Sequence, residues 1–164
     1  MVQEATRELV GAAAMRETMA LFGTGLTVIT GMTDDGPVGF TLQAFSSLSL
    51  APPLISVNVS RTSTSWPKIV DSGRFVVNVL GEHQEELALA FAKSGTDRFE
   101  NVEWTPGRSG VPRLAGCVAW IECELVATHD GGDHMIAVGG VRDLIEGTTR
   151  RPLMFFDRAF RTLT

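Results

Sequence analysis

Cys117–Thr128 reads CVAWIECELVAT, and its apolar or small residues fall at every second position: Cys117, Ala119, Ile121, Cys123, Leu125 and Ala127. Trp120, Glu122, Glu124 and Thr128 occupy positions between them. A repeat of two belongs to a pleated strand, whose successive side chains leave opposite faces. One side of this segment is therefore expected to meet a core and the other a mixed surface, as in a strand of a barrel or sandwich.

The same period extends outward from it. Leu26–Thr30, Val38–Gln43, Ser46–Leu50, Leu54–Val59, Phe75–Leu80 and His134–Leu144 are rich in β-branched residues and bounded by Gly, Pro or Asp, which predicts strands. Asp34-Asp35-Gly36-Pro37 and Asp130-Gly131-Gly132-Asp133 supply the turn residues that tight hairpins require. Helical spacing occurs at Thr6–Leu21, Thr64–Asp71 and Glu82–Phe91. Asn101–Leu114, with Pro106, Gly107, Gly110 and Pro112, reads as a surface loop. Many strands with few helices predict a mainly β fold, an antiparallel barrel and not a doubly wound sheet.

At 164 residues and 17.7 kDa the chain fits one domain, 1–164, with residues 1–21 forming an N-terminal helix expected to pack on the barrel. A formal charge of −5 argues against a general nucleic-acid binder, which needs clustered Lys and Arg. The opening MVQEATRELVGAAAMRETMALF lacks the basic and apolar regions of a signal peptide, and no window approaches a membrane span, so the expected location is cytoplasmic. Cys117 and Cys123, six apart, match neither a zinc pattern nor a disulfide framework and read as packing thiols.

The stretch Val38–Trp66, VGFTLQAFSSLSLAPPLISVNVSRTSTSW, carries most of the functional information. A strand ending in Asn58, Ser60, Arg61, Thr62, Ser63 and Thr64 leads into a helix start, where free N–H groups and the helix dipole favour an anion. Arg61 can offer a bidentate fork to a phosphate; a plain helix cap beside a solvated Arg fits the same residues. Gly39–Ser47 clusters small and polar residues where a barrel strand prefers bulk, which would let a planar heterocycle approach the backbone; an ordinary polar bend is the alternative. His134 enters a strand from a hairpin tip, and Arg98 in Asp97-Arg98-Phe99 adds a second positive group. Phe155, Phe156, Arg158 and Phe160 either pack over a ring or close the barrel. GxSxG, GxxxxGK[ST] and GxGxxG are absent, as are HExxH and a paired-carboxylate pattern. Such a chain leaves the hard chemistry to a bound cofactor and binds no catalytic metal.

Taken in order, Phe22–Thr30, Pro37–Phe40, Phe45–Pro53, Gly73–Leu80, Asp97-Arg98-Phe99 and Gly132-Asp133-His134 with Val138-Gly139 resemble the flavin reductase family, the small components of two-component monooxygenases. The resemblance runs from Met19 to Phe160 and implies an FMN-binding split barrel of Greek-key type with a few flanking helices. It implies NAD(P)H:flavin oxidoreductase activity: hydride passes from NADH or NADPH to FMN or FAD, and reduced flavin diffuses to a partner monooxygenase. No side chain acts as a catalytic nucleophile in such a reaction. By the same resemblance Pro37, Val38, Gly39, Phe40, Thr41, Gln43 and Ala44 lie along the isoalloxazine and ribityl chain. Asn58, Ser60, Arg61, Ser63 and Thr64 surround the phosphate, with Ala90, Phe91 and Arg98 nearby. His134, Phe156 and Arg158 fall at the nicotinamide nucleotide, and a homodimer completes each site. Thr41-Leu42-Gln43-Ala44 departs from the more common Thr-Ala-Asn-Ser; the hydroxyl missing at Ala44 would remove a hydrogen bond worth about 0.5–1.5 kcal/mol net. A non-catalytic flavin-binding module and an oxidase of the pyridoxamine-phosphate type are the competing classes.

Overall fold

The computed structural model describes residues 9–164, so Thr6–Glu8 of the predicted first helix lie outside the described residues. In chain order the elements are α1 (Ala12–Met19), β1 (Thr24–Gly25), β2 (Thr27–Thr33), β3 (Gly36–Leu42), β4 (Phe45–Leu50), β5 (Pro53–Ser60), α2 (Trp66–Ser72), β6 (Arg74–Val79), α3 (Glu85–Ala92), β7 (Trp104–Pro106), β8 (Pro112–Leu114), β9 (Ala119–Gly131), β10 (His134–Glu146), β11 (Met154–Phe156) and β12 (Ala159–Arg161). Every predicted long strand is present, with ends moved by a few residues.

Seven strands form one antiparallel sheet in the order β3-β2-β6-β9-β10-β5-β4. Its two edges, β3 and β4, are consecutive in the chain and separated by Gln43 and Ala44 alone. A sheet whose edges are two residues apart must curl back on itself; here the edges part at Gln43-Ala44, which makes the barrel a split one. The curvature is eased in β9 and β10, thirteen residues each, whose register shifts at Val138/Gly139 and Val141/Asp143.

Alternation puts two cores on opposite faces of the central strands. Ile29, Phe40, Ile55, Val57, Val59, Phe75 and Val77 fill the interior, plugged at one end by Trp66 and Ile69 of α2. Val28 and Leu80 point the other way, against Ala88 and Phe91 of α3, Leu114 of β8 and Leu153. Each fully buried aliphatic or aromatic side chain contributes about 1.5–3 kcal/mol relative to exposure. Buried Asn78 joins the layers: its Nδ2 donates to the Val28 carbonyl at 2.9 Å and to Thr30 Oγ1 at 3.0 Å, while its Oδ1 accepts the Leu114 N–H at 2.8 Å. Thr30 Oγ1 in turn donates to the Pro112 carbonyl at 2.6 Å.

Three expectations change. Asn101–Leu114 is no surface loop: it holds the β7–β8 hairpin, with Val111 and Leu114 buried. That hairpin covers Glu122, read above as part of a mixed surface but only 2% exposed. Its carboxylate accepts from the N–H groups of Arg108 (3.1 Å) and Ser109 (3.2 Å) and from Ser109 Oγ (3.2 Å), which replaces the lost water. No residue of α1 is buried, so the described part of this helix adds nothing to the core within the chain. Its end is tied to the β11–β12 turn, where Asp157 N–H donates to the Ala20 carbonyl at 2.8 Å. The small sheet β1-β11-β12 was not predicted, since two- and three-residue strands carry too few alternations to read. Phe155 and Phe160 pack edge to face there, 5.4 Å between centroids, in the closing role.

Candidate functional site

On β5, Ile55, Val57 and Val59 face inward, so period two turns Ser56, Asn58 and Ser60 outward. Antiparallel pairing sets His134 opposite Ser60 and Ile136 opposite Asn58. The polar face thus lies beside the split at Gln43-Ala44, where the Ala44 carbonyl accepts the Asn58 N–H at 2.9 Å.

Two cavities open on this wall. One, of about 340 Å³, is lined by Phe40–Ala44, Asn58–Ser60, Ser63 and His134. The other, of about 620 Å³, is lined by Arg16, Met19, Ala20, Phe22, Thr24, Gln43–Ser46, Ser56, Asn58, Phe155 and Arg158. Gln43, Ala44 and Asn58 belong to both. Both volumes lie in the range of cofactor-sized clefts, roughly 300–1,000 Å³. Arg158 reaches the larger one from the two-residue β11–β12 turn, where Asp157 (φ 49°) and Arg158 (φ 60°) are both left-handed. That turn conformation suits glycine or asparagine, so these residues hold their places at a cost in backbone energy.

At the far end of β5, Arg61 is bound to the β9–β10 hairpin tip. Its backbone N–H donates to the Asp133 carbonyl at 3.1 Å, its Nε to the Gly132 carbonyl at 2.9 Å, and its Nη2 forms an ion pair with Asp130. Ser60 Oγ lies 2.8 Å from Thr62 Oγ1, and Ser63 Oγ accepts the Trp66 N–H at 3.2 Å. His134 Nδ1 lies 2.7 Å from Asp133 Oδ1, and this contact, with the charge of a protonated imidazole, holds the Asp133 carboxyl below its ordinary range. The described residues hold no group of three or more His, Cys, Asp or Glu able to bind a metal. Burial pushes both cysteine thiols up to about 12, which leaves them uncharged at neutral pH.

The sequence model of the flavin reductase like domain matches residues 19–164. The chain belongs to this family. It is 43% identical over 143 residues to the reductase subunit HsaB of a flavin-dependent monooxygenase from Mycobacterium tuberculosis, covering 86% of this chain and 76% of that protein. It is 36% identical over 154 residues to a flavin reductase of Pseudomonas putida, covering 93% and 91%. Among solved structures, the Streptomyces globisporus NADH:FAD oxidoreductase SgcE6, in complex with NAD and FAD fragments, superposes with a TM-score of 0.89 at 34% identity, covering 96% of this chain and 97% of that one. The chain is a flavin oxidoreductase with the split-barrel fold of this family.

Within this flavin reductase the predicted site residues separate into groups. Phe40, Thr41, Gln43, Ala44, Asn58, Ser60, Ser63 and His134 come together on the smaller cavity, and Arg158 on the larger. Phe40 and Thr41 are committed side chains: Phe40 belongs to the interior, and Thr41 Oγ1 donates to the Ala88 carbonyl at 2.6 Å. Pro37, Val38, Gly39, Thr64 and Arg98 line a separate recess of about 170 Å³.

Several expectations need correction. Gly39 was read as letting a ligand approach the backbone. A Cβ there would stand 2.8 Å from the Ile29 carbonyl oxygen and 2.9 Å from Phe91 Cε1, so the close neighbours are protein. Phe91 is fully buried behind that wall, edge to face with Phe99, and Ala90 lines neither cavity. Arg98 is an internal clamp, donating from Nη1 to the Gly39 carbonyl (2.6 Å) and Ser65 Oγ (3.1 Å) and from Nε to the Lys93 carbonyl (2.6 Å); burial lowers its pKa. The Nε/Nη2 edge of Arg61 is already engaged by the hairpin tip, so its fork is not free on that side. Helix α2 begins at Trp66, two residues later than predicted, and has seven residues, too short for a large dipole. Phe156 is 42% exposed and outside both cavities, against Gly23. The sequence reading missed Arg16 and Met19, which no local motif marks, Phe22 and Thr24, read only as part of the Phe22–Thr30 motif, and Asp130, read there only as a turn residue; all reach their sites only by folding.

Proposed function

We propose that this chain is an NADH-dependent flavin reductase that takes FMN or FAD at the smaller cavity and the nicotinamide nucleotide in the adjoining larger one. The observation that carries the reading is the shared wall of Gln43, Ala44 and Asn58: two cofactor-sized cavities meet at small and amide-bearing residues, as juxtaposing two planar rings requires. When both are bound, the pair would supply the hydride chemistry, from nicotinamide C4 to flavin N5. The protein's residues orient and bind. Gln43 and Asn58 supply amide donors and acceptors to heterocycle edges, Ala44 lets the rings approach, and backbone N–H groups at the split favour charge gathering there. Ser60, Ser63 and the remaining Nη1 side of Arg61 would hold the flavin phosphate, and Arg158 an anionic part of the nicotinamide nucleotide. Pro37, Val38, Thr64 and the Arg98 clamp shape the recess on the far side of β3. His134 stands at the mouth of the smaller cavity, its ring orientation set by Asp133.

Relatives named as monooxygenase reductase subunits support a partner oxygenase that receives the reduced flavin by diffusion. No helix among the described residues is long and apolar enough to cross a membrane. Exposed Leu9, Val10, Met15, Met19, Leu21 and Phe22 around α1, and Leu48 and Leu50 on the β4 edge, support a homodimer that covers them and closes the larger cleft. The deciding experiment follows NADH absorbance with and without added FMN or FAD: flavin-dependent loss is expected, and its absence sinks the assignment. Light scattering on the eluting protein reads the dimer.

A further inference from the structure

The polar cluster around Arg61 contains a carboxylate that no cofactor role explains. Asp130 sits at the end of β9, 95% exposed in its side chain, and pairs with Nη2 of an Arg61 guanidinium that is itself 44% exposed. The neighbouring Nε is held by a neutral carbonyl, that of Gly132, at 2.9 Å. Arg61 would therefore keep its direction from Gly132 and from its own backbone bond to Asp133 even without a charge at position 130. Other charges at the tip do not take Asp130's place: Asp133 turns to His134. A carboxylate beside a guanidinium weakens its field at the distance where a phosphate would bind, because the phosphate feels the difference between two nearby opposite charges.

We propose that Asp130 is a specificity-determining residue that competes with the flavin phosphate for Arg61, weakening the preference for phosphorylated over unphosphorylated flavin and speeding exchange of the product. This rests on the assignment of Arg61 to the phosphate. A reductase that hands its product to a second protein gains from such a loosened grip, since tight phosphate binding would retain the reduced flavin.

Asp130→Asn separates charge from geometry, because the amide oxygen can still accept from Nη2. Dissociation constants for FMN and riboflavin are measured by flavin fluorescence in the full chain, the Asp130→Asn and Arg61→Ala variants and the double variant, at low and high salt. Both partners are exposed and solvent-screened, so the expected gain is modest: FMN binds Asp130→Asn about two- to fivefold more tightly at low salt. Riboflavin is unchanged, and the FMN gain shrinks at high salt and disappears in the double variant. Unchanged or weaker FMN binding in Asp130→Asn overturns the proposal, as does a gain that persists in the double variant or extends equally to riboflavin. If Arg61→Ala leaves the ratio of FMN to riboflavin affinity untouched, the phosphate assignment itself falls and the proposal with it. If Arg61→Ala abolishes that ratio while Asp130→Asn does nothing, only the proposal falls.

Discussion

Asn78 and Arg61 each tie together several strands, yet they do opposite kinds of work. Asn78 of β6 is fully buried, and its amide binds two partners on β2 and one on β8. Arg61 makes a comparable set of bonds to the β9–β10 tip, but in water. Breaking a buried bond strands its partner without solvent, whereas an exposed donor finds water at once. The lesson is that bond number does not rank the two: Asn78 holds the fold, and Arg61 is free to serve a ligand.

Substituting each residue tests that contrast. Asn78→Leu orphans the buried Leu114 N–H and removes the donor to the Val28 carbonyl and to Thr30 Oγ1, and should cost about 3 kcal/mol at roughly 1–3 kcal/mol per buried group. In a domain of this size that lowers the melting temperature by about 6–12 °C in calorimetry. A loss no greater than that of Arg61→Ala would erase the distinction. Arg61→Ala should leave the melting temperature nearly unchanged while weakening FMN about tenfold, the loss of one charge-assisted contact, with riboflavin unaffected. Equal losses for both flavins would remove Arg61 from the phosphate site.

The cysteines probe the buried side by pH. Their native thiols are pushed up from 9.0 to about 12, so between these values the unfolded chain releases protons that the folded chain keeps. Stability should then fall as pH rises above about 9, by up to about 1.4 kcal/mol per pH unit for each thiol. Urea midpoints on either side of that pH read the slope, and Cys117→Ala should flatten it; an unchanged slope would mean the thiol ionises in place. The smallest effect is expected at the exposed β11–β12 turn. Arg158→Gly relieves one left-handed residue, adding about 1 kcal/mol or less to stability. The same change should raise KM for NADH several-fold with kcat little altered; an unaltered KM would take Arg158 out of nucleotide binding.

How far the site could be read in advance depended on whether its residues signal locally. Asn58 and Ser60 were legible because they end a strand that leads into a helix start, whereas Ser56 joins them only through the alternation that puts Ile55, Val57 and Val59 inside. Gly39 was not legible for the converse reason: a glycine that lets a ligand approach and one that lets two protein layers approach look identical in one dimension. Arg98 showed no sign of being a clamp, since its acceptors Gly39 and Lys93 lie far away or in a loop. Glu122 sat at a position that alternation assigned to the surface, and only the β7–β8 hairpin folding over it made that surface interior.

The sequence by itself determined the strands and the turn chemistry at Asp130–Asp133, because these follow from spacing along a single element, and motifs spread from Phe22 to Gly139 carried the resemblance to the family. Tertiary structure alone decided where the barrel splits, that two cavities share Gln43, Ala44 and Asn58, and that Arg61 already has a carboxylate beside it. Those outcomes depend on residues distant in the chain arriving at the same place. Asp130 meets Arg61 across 69 positions, and no periodicity within either segment encodes that encounter.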